Sequence, residues 1–198
     1  MPVLLLAYPV LVHLAVLWDA PRLEWLALVV MCAIPLYQGL RALRPGHWLS
    51  LLALAGLLWV LTRMGGGMYA LFVPPVVTPA AVLAVFAGSL RAGQVPVATR
   101  LAQLGRDALE PDVLVYTRRV TALWVLILAA IAVGNAGLAL FAPLPVWSLF
   151  SNFVNYLLVG LVFVLEYLYR RLRFPAHVHG GFLAHLRLVA RTDYYKAV

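Results

Sequence analysis

The chain has 198 residues, of which 65% are hydrophobic and only 11% are charged, and its formal net charge is +8. Soluble domains carry about 25% charged and about 45–50% apolar residues, so this composition excludes an ordinary water-soluble domain. It predicts instead an all-α, polytopic membrane protein with basic loops. The single cysteine, Cys32, lies in an apolar run, so neither a disulfide framework nor a thiol metal site is expected.

Six apolar runs follow one another along the chain: residues 3–18, 23–40, 48–62, 68–90, 120–142 and 146–169. A helix needs about 20 residues to cross a hydrocarbon core of about 30 Å, so the first and third runs are short. The first run lacks the Lys/Arg-rich start of a secretory signal, and we interpret it as an uncleaved span. Residues 1–175 are therefore predicted to form a single transmembrane bundle of about six helices.

Loop charge predicts the orientation of these spans. If the N-terminus is cytoplasmic, all of the 15 Lys and Arg residues except Arg22 and Arg63 lie on the inner side. Such a bias over short loops is typical of multi-pass proteins of the bacterial inner membrane, and it predicts that both termini are cytoplasmic. The outer connections are short, which makes consecutive helices antiparallel neighbours.

The fourth run contains three prolines, Pro74, Pro75 and Pro79. Because proline lacks an N–H and clashes with the preceding turn, a break is predicted between a short segment at 68–73 and a helix from Pro79 to Leu90. A broken helix at membrane depth lines a wet cavity or is enclosed by protein, as in many transporters. The alternative is that the break sits at the outer interface, where water satisfies the backbone.

The inner loops are predicted to carry a basic face. Residues 97–109 have the spacing of a short amphipathic helix on the membrane, with Pro111 ending it and Asp112 capping the next helix. Residues 176–198 form a second basic amphipathic segment, a cytoplasmic tail. The candidate arginines are Arg91, Arg100, Arg118, Arg119, Arg170, Arg171 and Arg173.

Two interpretations of this face remain open. The arginines set topology, as in any inner-membrane protein, or they bind a phosphate-bearing lipid or an acidic partner. Nucleic-acid binding is not expected, because the positive charge is dispersed over membrane-proximal loops and the sequence has no recognised nucleic-acid-binding motif.

Polar residues within the spans are the candidate ligand or headgroup contacts. A wheel at 100° per residue places Ser148, Asn152, Asn155 and Glu166 in one stripe of the sixth run. Asn135 of the fifth run is expected near Asn152, among small residues that permit close helix approach, such as the pairs Ala130/Gly134 and Ala132/Ala136. The stripe either joins helices by hydrogen bonds or forms a substrate or headgroup site, which would need a cavity.

Groups suited to catalysis are scarce in the sequence. Glu166 precedes Arg170 by four residues, the favourable acid-before-base spacing on a helix, so an interfacial ion pair is expected there. His13 and His47 are single histidines without a second ligand at metal spacing, so no metal site and no cofactor are predicted. No recognised catalytic motif is present.

Three stretches carry a resemblance to a known family. They are VFAGSLR at 85–91 with GQVP at 93–96 and TR at 99–100; YTRRVT at 116–121 with Trp124; and WSLFSNFVNY at 147–156 leading to EYLYRRLRFP at 166–175. Together they resemble a family of small polytopic bacterial inner-membrane proteins whose genes often lie among those for aryl polyene pigments, beside acyl carriers and acyltransferases. The resemblance implies a role with an acyl or polyene lipid but no particular chemistry.

Three functions are consistent with these patterns. The first is a non-enzymatic accessory protein for aryl polyene-type acyl lipid synthesis or transfer, with acyl-carrier proteins, neighbouring biosynthetic enzymes or anionic headgroups at its basic face. The second is a small lipid or metabolite transporter or a flippase subunit, which predicts a cavity containing Asn152 or Asn155. The third is a membrane acyl or glycosyl transferase that uses Glu166 as a base.

Overall fold

The computed structural model describes residues 2–103 and 109–173. These ranges contain helices and no strand, which confirms the predicted all-α class. The helices are α1 (Pro2–Leu17), α2 (Pro21–Arg41), α3 (Pro45–Arg63), α4 (Gly67–Ser89), α5 (Val97–Gln103), α6 (Pro111–Phe141), α7 (Leu144–Leu149), a π-helical turn (Phe150–Val154) and α8 (Asn155–Arg173).

Five helical stretches are long and apolar enough to cross a membrane: α2, α3, α4, α6 and the run Leu144–Arg173. Only between 6% and 22% of the residues in their apolar windows are buried. The remaining apolar surface faces outward, which suits lipid and would be unfavourable in water. Helix α1 has 16 residues and is about 24 Å long at the usual helical rise, so a sixth span stays a prediction.

The first four helices are joined by tight turns of one kind. At the end of α2, Arg44 N–H donates to the Gly39 carbonyl (3.0 Å) and Leu43 N–H donates to the Leu40 carbonyl (3.1 Å). This is the Schellman pattern, which satisfies the last carbonyls of a helix. The residues that take the left-handed conformation in the three turns are Asp19, Leu43 and Gly65. Each turn places the next helix of the chain in contact with the one before it.

The break predicted in the fourth run is wrong, because α4 is helical from Gly67 through all three prolines to Ser89. Pro79 has no N–H to donate to the Pro75 carbonyl, which a regular helix would require. The Asn135 side chain of α6 supplies that donor instead, with a distance of 2.6 Å from its Nδ2 to the Pro75 oxygen. A hydrogen bond from α6, which is distant in sequence, therefore replaces the one that Pro79 cannot donate to Pro75.

The chain divides into two compact units, Met1–Val154 and Asn155–Val198. In the first unit, α2 packs on α1, α3 and α4, while α6 packs on α4, α5 and α7. Its apolar core contains Tyr8 and Val12 of α1, Ala27 and Leu28 of α2, Leu71 of α4 and Trp147 of α7. In the second unit the described part is α8, none of whose residues is buried. The division lies within the sixth run, and the tail boundary predicted at residue 175 lies outside the described residues.

The cap predicted for the helix after the long inner loop needs correction. Helix α6 begins at Pro111, so Asp112, the expected cap, lies inside its first turn and Glu110 occupies the N-cap position. Asp112 is thus not the capping residue, although an acid in the first turn still favours the helix dipole. Helix α5 is described only from Val97 to Gln103. Residues 104–108 of the predicted amphipathic helix are outside the described ranges.

Candidate functional site

A buried polar cluster joins α1 to α7 and to the π-helical turn that follows it. The Nδ1 atom of His13 lies 3.1 Å from the Ser148 hydroxyl, and the Asn152 amide donates to the Ser148 carbonyl at 3.0 Å. The His13 ring also packs edge-on against Phe153, with centroids 5.3 Å apart. His13, which the sequence suggested only as an isolated histidine, is therefore a hydrogen-bond partner of the predicted Ser148–Asn152 stripe.

A second branch of polar contacts links the same segment to α6 and α4. The Ser151 hydroxyl donates to the Asn135 carbonyl oxygen at 3.1 Å, and the Asn135 amide donates to Pro75. The residue expected near Asn135 was Asn152, and the hydroxyl that donates to Asn135 belongs to Ser151, one residue earlier. Asn135, Ser148, Ser151 and Asn152 are all at most 6% exposed.

Ser151 and Asn152 both lie in the π-helical turn, and both are buried. The i→i+5 hydrogen bonds of such a turn rotate the chain by less than the 100° per residue of a regular helix. Sequence reasoning did not name Ser151, although it lies three residues after Ser148 and therefore near the same face of a regular helix.

Asn155 and Glu166, the other members of the predicted stripe, belong to α8 and are partly buried. The Glu166 carboxylate lies 3.7 Å from Nε of Arg170, four residues on, which confirms the expected ion pair. Arg170 also lies 5.9 Å from the ring centre of Tyr167. Aromatic and basic side chains in this combination are typical of a membrane interface.

The hydrogen bonds of the polar cluster connect neutral side chains and backbone groups. Such inter-helix bonds in membrane proteins average about 0.6 kcal/mol each, so several together stabilise one arrangement of helices. The predicted small-residue pair Ala130/Gly134 does not contribute, because both residues are exposed and open space surrounds Gly134. The cluster thus holds α1, α4, α6 and the π turn together.

A cluster of hydroxyls fixes α5 against α6. The Thr99 and Thr117 hydroxyls lie 2.7 Å apart, and the Thr121 hydroxyl accepts from the Ala98 N–H at 3.2 Å. The Ser89 hydroxyl, at the end of α4, accepts from the Val97 N–H at 3.2 Å. These bonds satisfy N–H groups that a helix start leaves without partners.

A groove of about 290 Å³ opens beside this hydroxyl cluster; its lining residues are Gln94, Val95, Pro96, Thr99, Gln103, Leu114 and Arg118. Arg118 is held in place because its Nη2 donates to the Leu90 carbonyl at 3.0 Å. The groove thus combines a cation and two amide side chains with an apolar floor. We call it the Arg118 groove.

The other candidate arginines of the first unit are exposed and lie close in sequence to residues that line the groove: Arg91, Arg100 and Arg119. Arg171 and Arg173 are exposed at the end of α8. Binding of a ligand or partner by these arginines stays a prediction. The structure adds that Arg118, unlike its neighbour Arg119, lines a concave site.

Sequence reasoning overlooked several buried polar groups. Glu24 of α2 is only 8% exposed, and its carboxylate lies against Gly67 at the start of α4, where a Cβ atom would collide with it. Trp147 is fully buried, and its indole N–H has no hydrogen-bond partner in the described part of the chain. Glu24 and Gly67 are far apart in sequence, so no local pattern predicted their contact.

Comparison of the chain with protein-family models, with curated proteins and with solved structures gave no match. The family resemblance of the three stretches therefore stays a prediction. Among the described residues, those stretches supply seven of the ten buried polar side chains: Ser89, Thr99, Thr117, Thr121, Ser148, Ser151 and Asn152.

Proposed function

We propose that the protein is a non-enzymatic accessory protein of a bacterial inner membrane that serves the synthesis or transfer of an aryl polyene-type acyl lipid. Its arginine-bearing face is cytoplasmic and docks acyl-carrier protein. The observation that carries the proposal is the set of exposed arginines around α5 and the start of α6, at the end of two apolar helices. Acyl carriers are acidic proteins, so electrostatic complementarity favours this pairing.

The internal geometry supports a docking role over a catalytic or transport role. Asn152 is 2% exposed and donates to Ser148, which is the arrangement expected of helix packing. Glu166 is paired with Arg170, which suits an interfacial anchor. Transport through a cavity at Asn152 or Asn155, and acyl or glycosyl transfer with Glu166 as a base, therefore have no specific observation in their favour.

Capture of the neighbouring acyl carrier by the detergent-solubilised protein tests the proposal. We expect the double variant Arg100→Gln/Arg119→Gln to reduce capture at low salt at least fivefold, because both removed charges lie on the inner face. The double variant Arg22→Gln/Arg63→Gln removes the same charge from the other face and serves as the control. Moderate salt should weaken wild-type capture by screening.

Equal capture by both double variants and the wild type would refute docking at this face. So would capture that is insensitive to salt, because an arginine-mediated encounter must weaken as ionic strength rises. Arg118 is left intact in this experiment, so the Arg118 groove is not altered.

A further inference from the structure

The Arg118 groove lies at the depth of lipid headgroups. A span uses about 20 residues to cross the hydrocarbon core, and counting that number back from Phe141 at the end of α6 reaches Ala122. Arg118 lies about one helical turn beyond that point. Helix α4 has 23 residues, so Leu90, which accepts the Arg118 hydrogen bond, also lies at this boundary.

The donors of the groove suit an anionic group. A guanidinium has five N–H donors in a planar fork that matches phosphate oxygens, and the bond to Leu90 uses one of them. That bond holds the side chain in one position, which lowers the entropy lost on binding. The Gln94 and Gln103 side chains on the lining add amide donors, and Thr99 on the wall is held by Thr117.

The floor of the groove suits the part of a lipid next to its phosphate. Val95 and Leu114 are each 41% exposed, and with Pro96 they line the groove. Apolar surface beside a phosphate-binding cation favours a phosphate that carries a glycerol and acyl chains over a free ion, since burial of methylene groups adds to the binding free energy.

From this placement we infer that the Arg118 groove binds the phosphate headgroup of an anionic phospholipid of the inner leaflet. The inference shares the cytoplasmic orientation with the proposed function but does not need acyl-carrier docking, because the binding groups are Arg118, the amide side chains and the apolar lining. Each arginine near an anionic membrane surface already contributes about 1 kcal/mol, so a specific site must exceed the effect of an exposed arginine elsewhere.

Arg119 provides the matched control for that comparison. It is the next residue on α6 and is exposed like Arg118, but it does not line the groove. Arg118→Gln and Arg119→Gln remove the same charge from adjacent positions. A second groove variant, Gln94→Glu, keeps the Arg118–Leu90 bond and places a negative charge on the lining.

Binding is measured on the full-length purified protein in neutral detergent by native mass spectrometry, with short-chain phosphatidylglycerol as the probe. We expect wild type and Arg119→Gln to bind it within twofold of each other, while Arg118→Gln and Gln94→Glu bind at least tenfold more weakly. Short-chain phosphatidylcholine should bind at least fivefold more weakly than phosphatidylglycerol. Inorganic phosphate should not compete at the same concentration.

Equal losses in Arg118→Gln and Arg119→Gln would show attraction to charge alone and overturn the assignment of a site. Competition by inorganic phosphate at the lipid concentration would overturn the lipid assignment in favour of a free phosphate site. Unchanged binding in Gln94→Glu, with that variant monodisperse in detergent, would show that the lipid does not occupy the groove.

Discussion

Asn135 shows how one side chain can support a helix that contains prolines, here α4. Its amide donates to Pro75, and its carbonyl oxygen accepts from Ser151. Pro79 is the reason that the Pro75 carbonyl needs a donor from outside α4, since residue 79 would supply the regular helical N–H. The two residues are therefore expected to be thermodynamically coupled.

We predict that Asn135→Leu destabilises the protein by about 1–2 kcal/mol, because a buried carbonyl and a buried hydroxyl each lose a partner. In a Pro79→Ala background the same substitution should cost at least about 0.5 kcal/mol less, since an alanine at this position restores a helical N–H to Pro75. Thermal or denaturant unfolding of the four proteins in detergent measures both quantities. Equal costs in both backgrounds would contradict the compensation.

At the same scale, the sequence identified some members of the polar cluster and missed others. The four-residue spacing of Ser148 and Asn152 placed them on one helix face, and their side chain and backbone groups are hydrogen-bonded. Ser151 was not named, although it lies three residues after Ser148. His13 was missed as a partner because its contact with Ser148 spans 135 residues, and no local periodicity reports such a distance.

Among the elements, the turn between α2 and α3 carries an unusual residue. Leu43 has a φ of 51°, and its side chain is 75% exposed. The left-handed conformation costs an L-residue with a Cβ atom about 1–2 kcal/mol, whereas glycine adopts it freely. The corresponding residue after α3 is Gly65.

We expect Leu43→Gly to stabilise the protein by about 1 kcal/mol, because it removes this strain without removing a buried contact. The matched variant Gly65→Leu should destabilise it by a similar amount. Melting temperatures in a single detergent provide the comparison. A lower melting temperature for Leu43→Gly would show that the exposed leucine contributes more than its backbone costs.

Comparison of the apolar runs with the observed helices shows which helix boundaries the hydrophobic pattern determines. The second, third and fourth runs coincide closely with α2, α3 and α4, because a long apolar stretch with few charges specifies a helix in lipid. The fifth apolar run, residues 120–142, covers only the later part of α6, and its start was predicted instead from Asp112, two residues from the observed Glu110 cap. The continuity of α4 was missed because the donor to the Pro75 carbonyl is Asn135, which lies 60 residues away.

At the scale of the whole molecule, two features define the orientation in the membrane. Apolar side chains face outward along the long helices, and most arginines lie in the loops on one side. The exposed apolar side chains of the five long helices require lipid around them. From the bias of the loop arginines we predict that the groove and its neighbours face the cytoplasm. Both docking of acyl carrier and binding of an inner-leaflet lipid depend on this orientation.

Labelling at the two ends of α4 tests that claim most directly. In a Cys32→Ser background, Met64→Cys precedes the helix and Ala92→Cys follows it, and both positions are exposed. A membrane-impermeant maleimide applied to spheroplasts should label Met64→Cys at least tenfold more than Ala92→Cys, and permeabilised membranes should label both equally. Stronger labelling of Ala92→Cys in spheroplasts would place the arginines on the outer side and contradict the account.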